Sequence, residues 1–144
     1  MENLTLLIPA KFESESLPSV LRELKKFNYK ICIILKDTDS ITIDSIKDFD
    51  VEVIQQKGIG YGDALIEGIN YCKTKYFCIF NADGSFNPNE IDGIMKQIEK
   101  NNTDFIFASR YEKNAGSDDD TFVTFVGNYF FSSIGKIFFK FKIS

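Results

Sequence analysis

Histidine is absent from this 144-residue sequence. That absence excludes Ser-His and Cys-His nucleophilic sites and histidine-ligated zinc. Cysteine is scarce. Cys32, Cys72 and Cys78 have no metal-ligand spacing, and two of them fall inside apolar runs, the pattern of buried free thiols in a reducing compartment. Basic charge is in deficit, 17 Lys and Arg against 21 Asp and Glu for a net charge of -4, so there is no basic stripe of the kind a nucleic acid requires. An anionic ligand would have to be met locally, by a few lysines, backbone N–H groups or a metal ion. The N-terminus lacks a cationic segment followed by a signal-type apolar run, which points to a cytoplasmic protein. Internal repeats and low-complexity linkers are missing as well.

What is present fits one soluble domain. Hydrophobic residues make up 44% and charged residues 26%, and a chain of this length buries about two thirds of its unfolded-state surface. Short apolar runs alternate with helical periodicity, the pattern of a mostly parallel α/β sheet with helices on both faces. Leu4–Pro9, Lys30–Leu35, Val51–Gln55, Tyr76–Phe80 and Asp104–Ala108 read as strands. Leu17, Val20, Leu21, Leu24 and Phe27 recur at helical spacing behind Ser16 as cap and Pro18 in the first turn. A short helix is expected around Ile41–Ile46, and another over Gly62–Lys73 with Leu65, Ile69 and Cys72 on its inner face. Asn87-Pro-Asn-Glu90 has the order of a capping box, opening a helix that carries Ile91, Ile94, Met95 and Ile98 inward.

In such a sheet the segments after each strand gather along one edge, where open α/β sheets hold their ligands. These segments are Pro9–Glu13, Lys36–Asp39, Lys57–Gly62, Asn81–Ser85 and Ser109–Tyr111. The most informative is Asn81-Ala-Asp-Gly-Ser85, an acidic small-residue turn at the end of an apolar strand. Asp83, with Asn81 and Ser85, could supply part of a shell for Mg²⁺, which commonly takes one or two carboxylates and lets phosphates and water complete it. The same residues also make an ordinary Asx-turn. Lys57-Gly-Ile-Gly-Tyr-Gly62 could bring Gly60 and Gly62 N–H groups and the Lys57 charge to a phosphate, or could be a flexible loop with positive φ. Glu13, Asp37 and Asp39 could accept hydrogen bonds from a base or ribose, or cap helices. Arg110 could clamp a phosphate in bidentate fashion, or form a structural ion pair. Asp118-Asp-Asp120 fits the amino end of a last helix, or could supply a general base.

In this order the motifs resemble family-2 glycosyltransferases of the GT-A fold, most of all the dolichyl- or polyprenyl-phosphate sugar transferase branch. Ile8-Pro-Ala-Lys-Phe-Glu13 is similar to I-P-x-Y-N-E, and Gly60-Tyr-Gly-Asp-Ala-Leu65 with Gly68 is similar to G-x-G-x-A-L…G. Asn81-Ala-Asp-Gly-Ser85 is similar to D-A-D-x-S, with Asn81 in place of the first aspartate, and Ser109-Arg-Tyr111 to S-R-Y/F. The resemblance implies transfer of a sugar from a nucleotide-diphosphate donor to a polyprenyl phosphate or glycan acceptor, metal-dependent through Mg²⁺ or Mn²⁺, with inversion. It implies Asp83 as metal ligand with Asn81 and Ser85 beside it, Asn81 also serving as a ribose contact. Arg110 becomes an acceptor-phosphate contact and, with Asp83, part of the catalytic set. Pro9, Ala10, Glu13, Asp37, Lys57, Gly60, Gly62, Ala82 and Ser109 become substrate contacts.

It further implies a nucleotide-sugar-binding α/β domain over 1–121 and an apolar C-terminal helix over 122–144, the start of an acceptor or membrane-proximal region. The family's domain extends further than Ser144, so the resemblance also implies C-terminal truncation. The phenylalanine-rich tail has no long uninterrupted apolar stretch and is a poor spanning helix; it could pack on the sheet or lie at the inner face of a membrane. Two other readings share these residues. One is a sugar nucleotidyltransferase, against which the acidic, glycine-free Phe12-Glu-Ser-Glu15 counts. The other is a truncated, non-catalytic domain that binds a nucleotide sugar.

Overall fold

The computed structural model describes residues 3–108, 126–127, 129–131 and 133–134. Four strands, β1 (Leu4–Pro9), β2 (Lys30–Leu35), β3 (Glu52–Gln55) and β4 (Tyr76–Ile79), form one sheet in the order β3-β2-β1-β4. Every pairing in it is parallel. The helices are α1 (Leu17–Leu24), α2 (Ser40–Ile46), α3 (Tyr61–Tyr71) and α4 (Ile91–Asn101), the last preceded by a 3-10 turn at Pro88–Glu90. The chain divides into two compact units, Met1–Met95 and Lys96–Ser144. The domain boundary expected at 121 lies outside the described residues.

β1 and β2 are central strands, and their unbroken apolar sequences follow from burial on both faces. On one face Leu4, Leu6, Ile8, Ile33 and Leu35 meet Leu17, Val20, Leu21 and Leu24 of α1, Ile46 of α2 and Ile91 of α4. The Tyr29 hydroxyl donates to Asp92 Oδ1 at 2.8 Å, and its ring stacks on Phe27 at 5.4 Å. These contacts tie the start of β2 to the start of α4. On the other face Leu7, Cys32 and Ile34 meet Ala64 of α3 in a smaller cluster.

α3 lies over β2 and β1 and approaches them closely. The inner face expected from Leu65, Ile69 and Cys72 is corrected: Ala64 and Gly68 are the buried residues of this helix, and Ile69 is exposed. A Cβ on Gly68 would lie 2.9 Å from Ile34 Cδ1 and 3.5 Å from Leu7 Cδ1, so the close approach selects for small side chains. Among the described residues β4 is the outermost strand beside β1. Phe77 and Ile79 pair with Thr5 and Leu7 on the α3 side and are 43% and 36% exposed.

Three further expectations change. Residues 104–108 join no ladder among the described residues, and Phe105 and Phe107 are exposed with their rings edge to face at 5.1 Å. Alternating apolar residues do not make a strand without a neighbour to bond to. Ser16 makes no side-chain cap; its backbone is already helical and its hydroxyl donates to Glu13 Oε2. Asn87 does cap, but what it opens is a 3-10 turn, in which its side chain accepts from Asn89 N at 3.1 Å. The helix that follows buries Ile91 fully and Ile94, Met95 and Ile98 only in part.

Candidate functional site

From β1 the chain builds outward through β2 and β3 on one side, then returns to place β4 on the other. Between β1 and β4 the connections diverge and open a crevice at the carboxyl ends of the strands. A cavity of about 540 Å³ lies at this edge, lined by residues that follow all four strands. Pro9 to Glu13 come from the first loop, Lys36, Thr38 and Asp39 from the second, Gln56 and Ile59 to Tyr61 from the third, and Asn81 to Asp83 from the fourth. Its size is that of a small-molecule site.

The first two loops are locked together by Asp39. This carboxylate is buried; Oδ2 accepts the N–H of Phe12 at 2.7 Å and Oδ1 that of Thr42 at 3.3 Å, which caps α2. Thr42 Oγ1 in turn accepts the N–H of Glu13 at 3.1 Å. Asp39 thus caps α2 and also lines the cavity. Phe12 has φ 60°, a conformation uncommon for a bulky side chain.

The third loop is held by Asp63, whose carboxylate accepts from Gly58 N at 3.0 Å and Gln56 Nε2 at 3.1 Å. Gln56 Nε2 also reaches Gly60 O at 2.8 Å. The Gly58 N–H is therefore spent within the loop. Gly60, at φ 94°, caps α3 without a side-chain bond, and the amino end of this 11-residue helix opens beside the cavity. Its dipole and its first N–H groups favour an anion there.

In the fourth loop Ser85 N donates to Asp83 Oδ1 at 2.9 Å, and Asn81 Nδ2 donates to Ser85 Oγ at 3.0 Å. The Asx-turn reading thus holds for Asp83. It does not compete with a metal role, because a carboxylate offers several lone pairs. Among the described residues no three acidic, histidine or cysteine side chains gather into a cage. The donor set, one carboxylate with the Asn81 carbonyl, fits a Mg²⁺ or Mn²⁺ ion that shares its shell with ligand phosphates.

Of the residues expected at the site, Pro9, Ala10, Glu13, Gly60, Asn81, Ala82 and Asp83 line this one cavity. Asp37, Lys57 and Gly62 do not line it, and Ser85 faces a neighbouring shallow hollow with Phe86 and Glu23. Ser109 and Arg110, with Asp118 to Asp120, lie outside the described residues. Lys11, Phe12, Lys36, Thr38, Ile59 and Tyr61 fall within the post-strand segments expected at this edge without having been named as site residues, and Gln56 and Ala64 line the cavity from outside those segments. Burial pushes the Cys32 thiol up to about 12, with Glu52 and Cys72 adding to it. Burial also raises Cys78 and, with Asp92, Tyr29. None of these three lines the cavity.

The family model described as glycosyl transferase family 2 matches residues 5–143. Curated relatives include the uncharacterized glycosyltransferases Rv0539 of Mycobacterium tuberculosis (strain H37Rv) and Mb0553 of Mycobacterium bovis. Each is 24% identical over 96 residues, which are 67% of this chain and 44% of the relative. The chain thus spans about half the length of the curated relatives it matches. The parallel sheet with helices on both faces agrees with the GT-A fold of that family.

Proposed function

We propose that this chain, which belongs to glycosyl transferase family 2, binds a nucleotide-diphosphate sugar in the cavity and acts in transfer of the sugar to a polyprenyl phosphate or glycan, with inversion. The observation that carries this reading is the meeting of loops from all four strands at one cavity, with Glu13, Gly60 and Asp83 on its walls. Lys11 and Lys36 supply positive charge there, and the uncapped amino end of α3 supplies N–H groups for a phosphate. Asp83 and the Asn81 carbonyl are the residues that would hold Mg²⁺ or Mn²⁺. The ion, when bound, neutralises charge on the diphosphate as it leaves.

In the transfer itself an acceptor oxygen forms a bond to the anomeric carbon as the bond from that carbon to the diphosphate oxygen breaks. The electron pair departs with the nucleoside diphosphate. Positive groups fixed at the cavity stabilise that charge without having to reorganise. A phosphate acceptor is already ionised and needs no base; a hydroxyl acceptor must pass its proton to one.

The test is titration of UDP- and GDP-sugars with Mn²⁺, following binding and donor consumption with a polyprenyl phosphate present. Glycosylated lipid appearing in step with free nucleoside diphosphate is the expected result. Turnover that requires pyrophosphate would mean a nucleotidyltransferase. Binding without turnover would mean a non-catalytic domain, and no binding of either donor would overturn the reading.

A further inference from the structure

We propose that Asp63 is the positioning residue of the cavity's third wall, holding Gln56 and Gly58 so that the loop before α3 is shaped before the donor arrives; this rests on the nucleotide-sugar reading above. Asp63 does not itself line the cavity, but Gln56, Ile59, Gly60 and Tyr61 around it do. A single oxygen makes both of its contacts. Oδ2 accepts from Gly58 N at 3.0 Å and from Gln56 Nε2 at 3.1 Å. The same Gln56 nitrogen donates to Gly60 O at 2.8 Å, so the carboxylate reaches the cavity wall through one side-chain amide.

Little else holds this loop. Ile59 and Tyr61 are 89% and 55% exposed, so the segment gains little from apolar burial. Gly60 has φ 94° and offers no side chain to cap α3. A glycine-rich segment of this kind has many conformations open to it unless specific bonds select one. Gly58 records that selection. A Cβ there would overlap Asp63 Oδ1 and lie 2.5 Å from Asp63 Cγ, so the carboxylate fills the space where a side chain would begin. Gly58 is not among the glycines of positive φ, so room for the carboxylate is what requires glycine. A wall braced in advance spares the donor the cost of ordering it. Where the competent conformation is populated only part of the time, apparent affinity falls by that fraction.

The experiment is calorimetric titration of wild type, Asp63→Asn, Asp63→Ala, Gly58→Ala and the double variant Gly58→Ala/Asp63→Ala. The probes are UDP and GDP with Mn²⁺, at a temperature where melting curves show every protein folded. Asp63→Asn can set its one amide oxygen where Oδ2 stands and accept both donors, so it should match wild type within about twofold. Asp63→Ala removes the acceptor, and Gly58→Ala displaces it, since the carboxylate is the movable end of a side chain. Each should weaken binding of the nucleotide that wild type takes by roughly tenfold. The double variant should lose no more than either single one, because both break the same contact. Should Asp63→Ala fail to fold, Gly58→Ala carries the same prediction with the carboxylate still present. Unchanged affinity in Asp63→Ala and Gly58→Ala would overturn the inference and leave the nucleotide-sugar reading standing. Equal effects of Asn and Ala at position 63 would mean that the charge matters and not the bond. Additive losses in the double variant would mean that the two residues act apart, and either result overturns the inference. Failure of wild type to bind either nucleotide would overturn both readings at once.

Discussion

The carboxylate of Asp39 receives the N–H of Phe12 at 2.7 Å, across 27 positions of sequence, and so fixes the loop after β1 to the cap of α2. Replacing it removes a cap and leaves buried donors unmet. Asp39→Ala should lower stability by about 2–3 kcal/mol, and Asp39→Asn, which keeps one acceptor, by about 1 kcal/mol. Urea unfolding midpoints measure both. Equal, negligible losses would show that the loop holds itself.

Asp83 offers a cleaner separation of roles. Asp83→Asn keeps an oxygen for the Ser85 N–H and removes the charge. The variant should still unfold in one cooperative urea transition. Mn²⁺-dependent affinity for UDP or GDP should fall at least about tenfold, since a carboxylate ligand becomes a neutral one. Intact metal-dependent binding in this variant would reduce Asp83 to a turn residue.

The two central strands were legible to the residue, because Leu4–Pro9 and Lys30–Leu35 are buried on both faces and unbroken apolar runs record that directly. α3 was harder. A reading weighted by large apolar residues pointed to Leu65 and Ile69, whereas the helix sits so close to the sheet that only Ala64 and Gly68 fit beneath it. Closeness of approach is set by tertiary packing and leaves its mark in small residues. At the cavity the glycines and Asp83 announced themselves through turn chemistry. Phe12 did not, since nothing local distinguishes an aromatic forced to φ 60° from one buried in a core. Residues 104–108 carry a strand-like pattern but join no ladder among the described residues, because pairing depends on a neighbour that a single segment does not encode.

Gly68 tests the close approach. Helix propensity alone favours alanine there by about 1 kcal/mol. The new methyl would press on Ile34, which is fully buried and has little room to yield. Overpacking of about 1–3 kcal/mol should win, so Gly68→Ala is expected to destabilise by about 1 kcal/mol and Gly68→Val by several. A stabilised alanine variant, seen in denaturant titration, would mean that α3 can lift off the sheet.

Alkaline pH should weaken the fold. Cys32, Cys78 and Tyr29 are acids whose protonated forms burial favours, so their folded-state pKa values lie above the unfolded ones. The folded state then holds more protons than the unfolded state, and stability falls as pH rises. For Cys32 the loss begins near the ordinary value of 9.0 and continues towards about 12. Melting temperatures should decline from about pH 8 to about pH 11, less steeply in Cys32→Ala despite its lower starting point. A level profile would show that these groups titrate as freely folded as unfolded.

The outer side of β4 has a practical consequence. Its backbone donors and acceptors face away from β1 with no ladder partner among the described residues, beside half-open Phe77 and Ile79. Such a margin is a ready template for non-native self-association. Preparations of these 144 residues should therefore clump as concentration rises, and a charged replacement at Phe77 should be the change that keeps them dispersed.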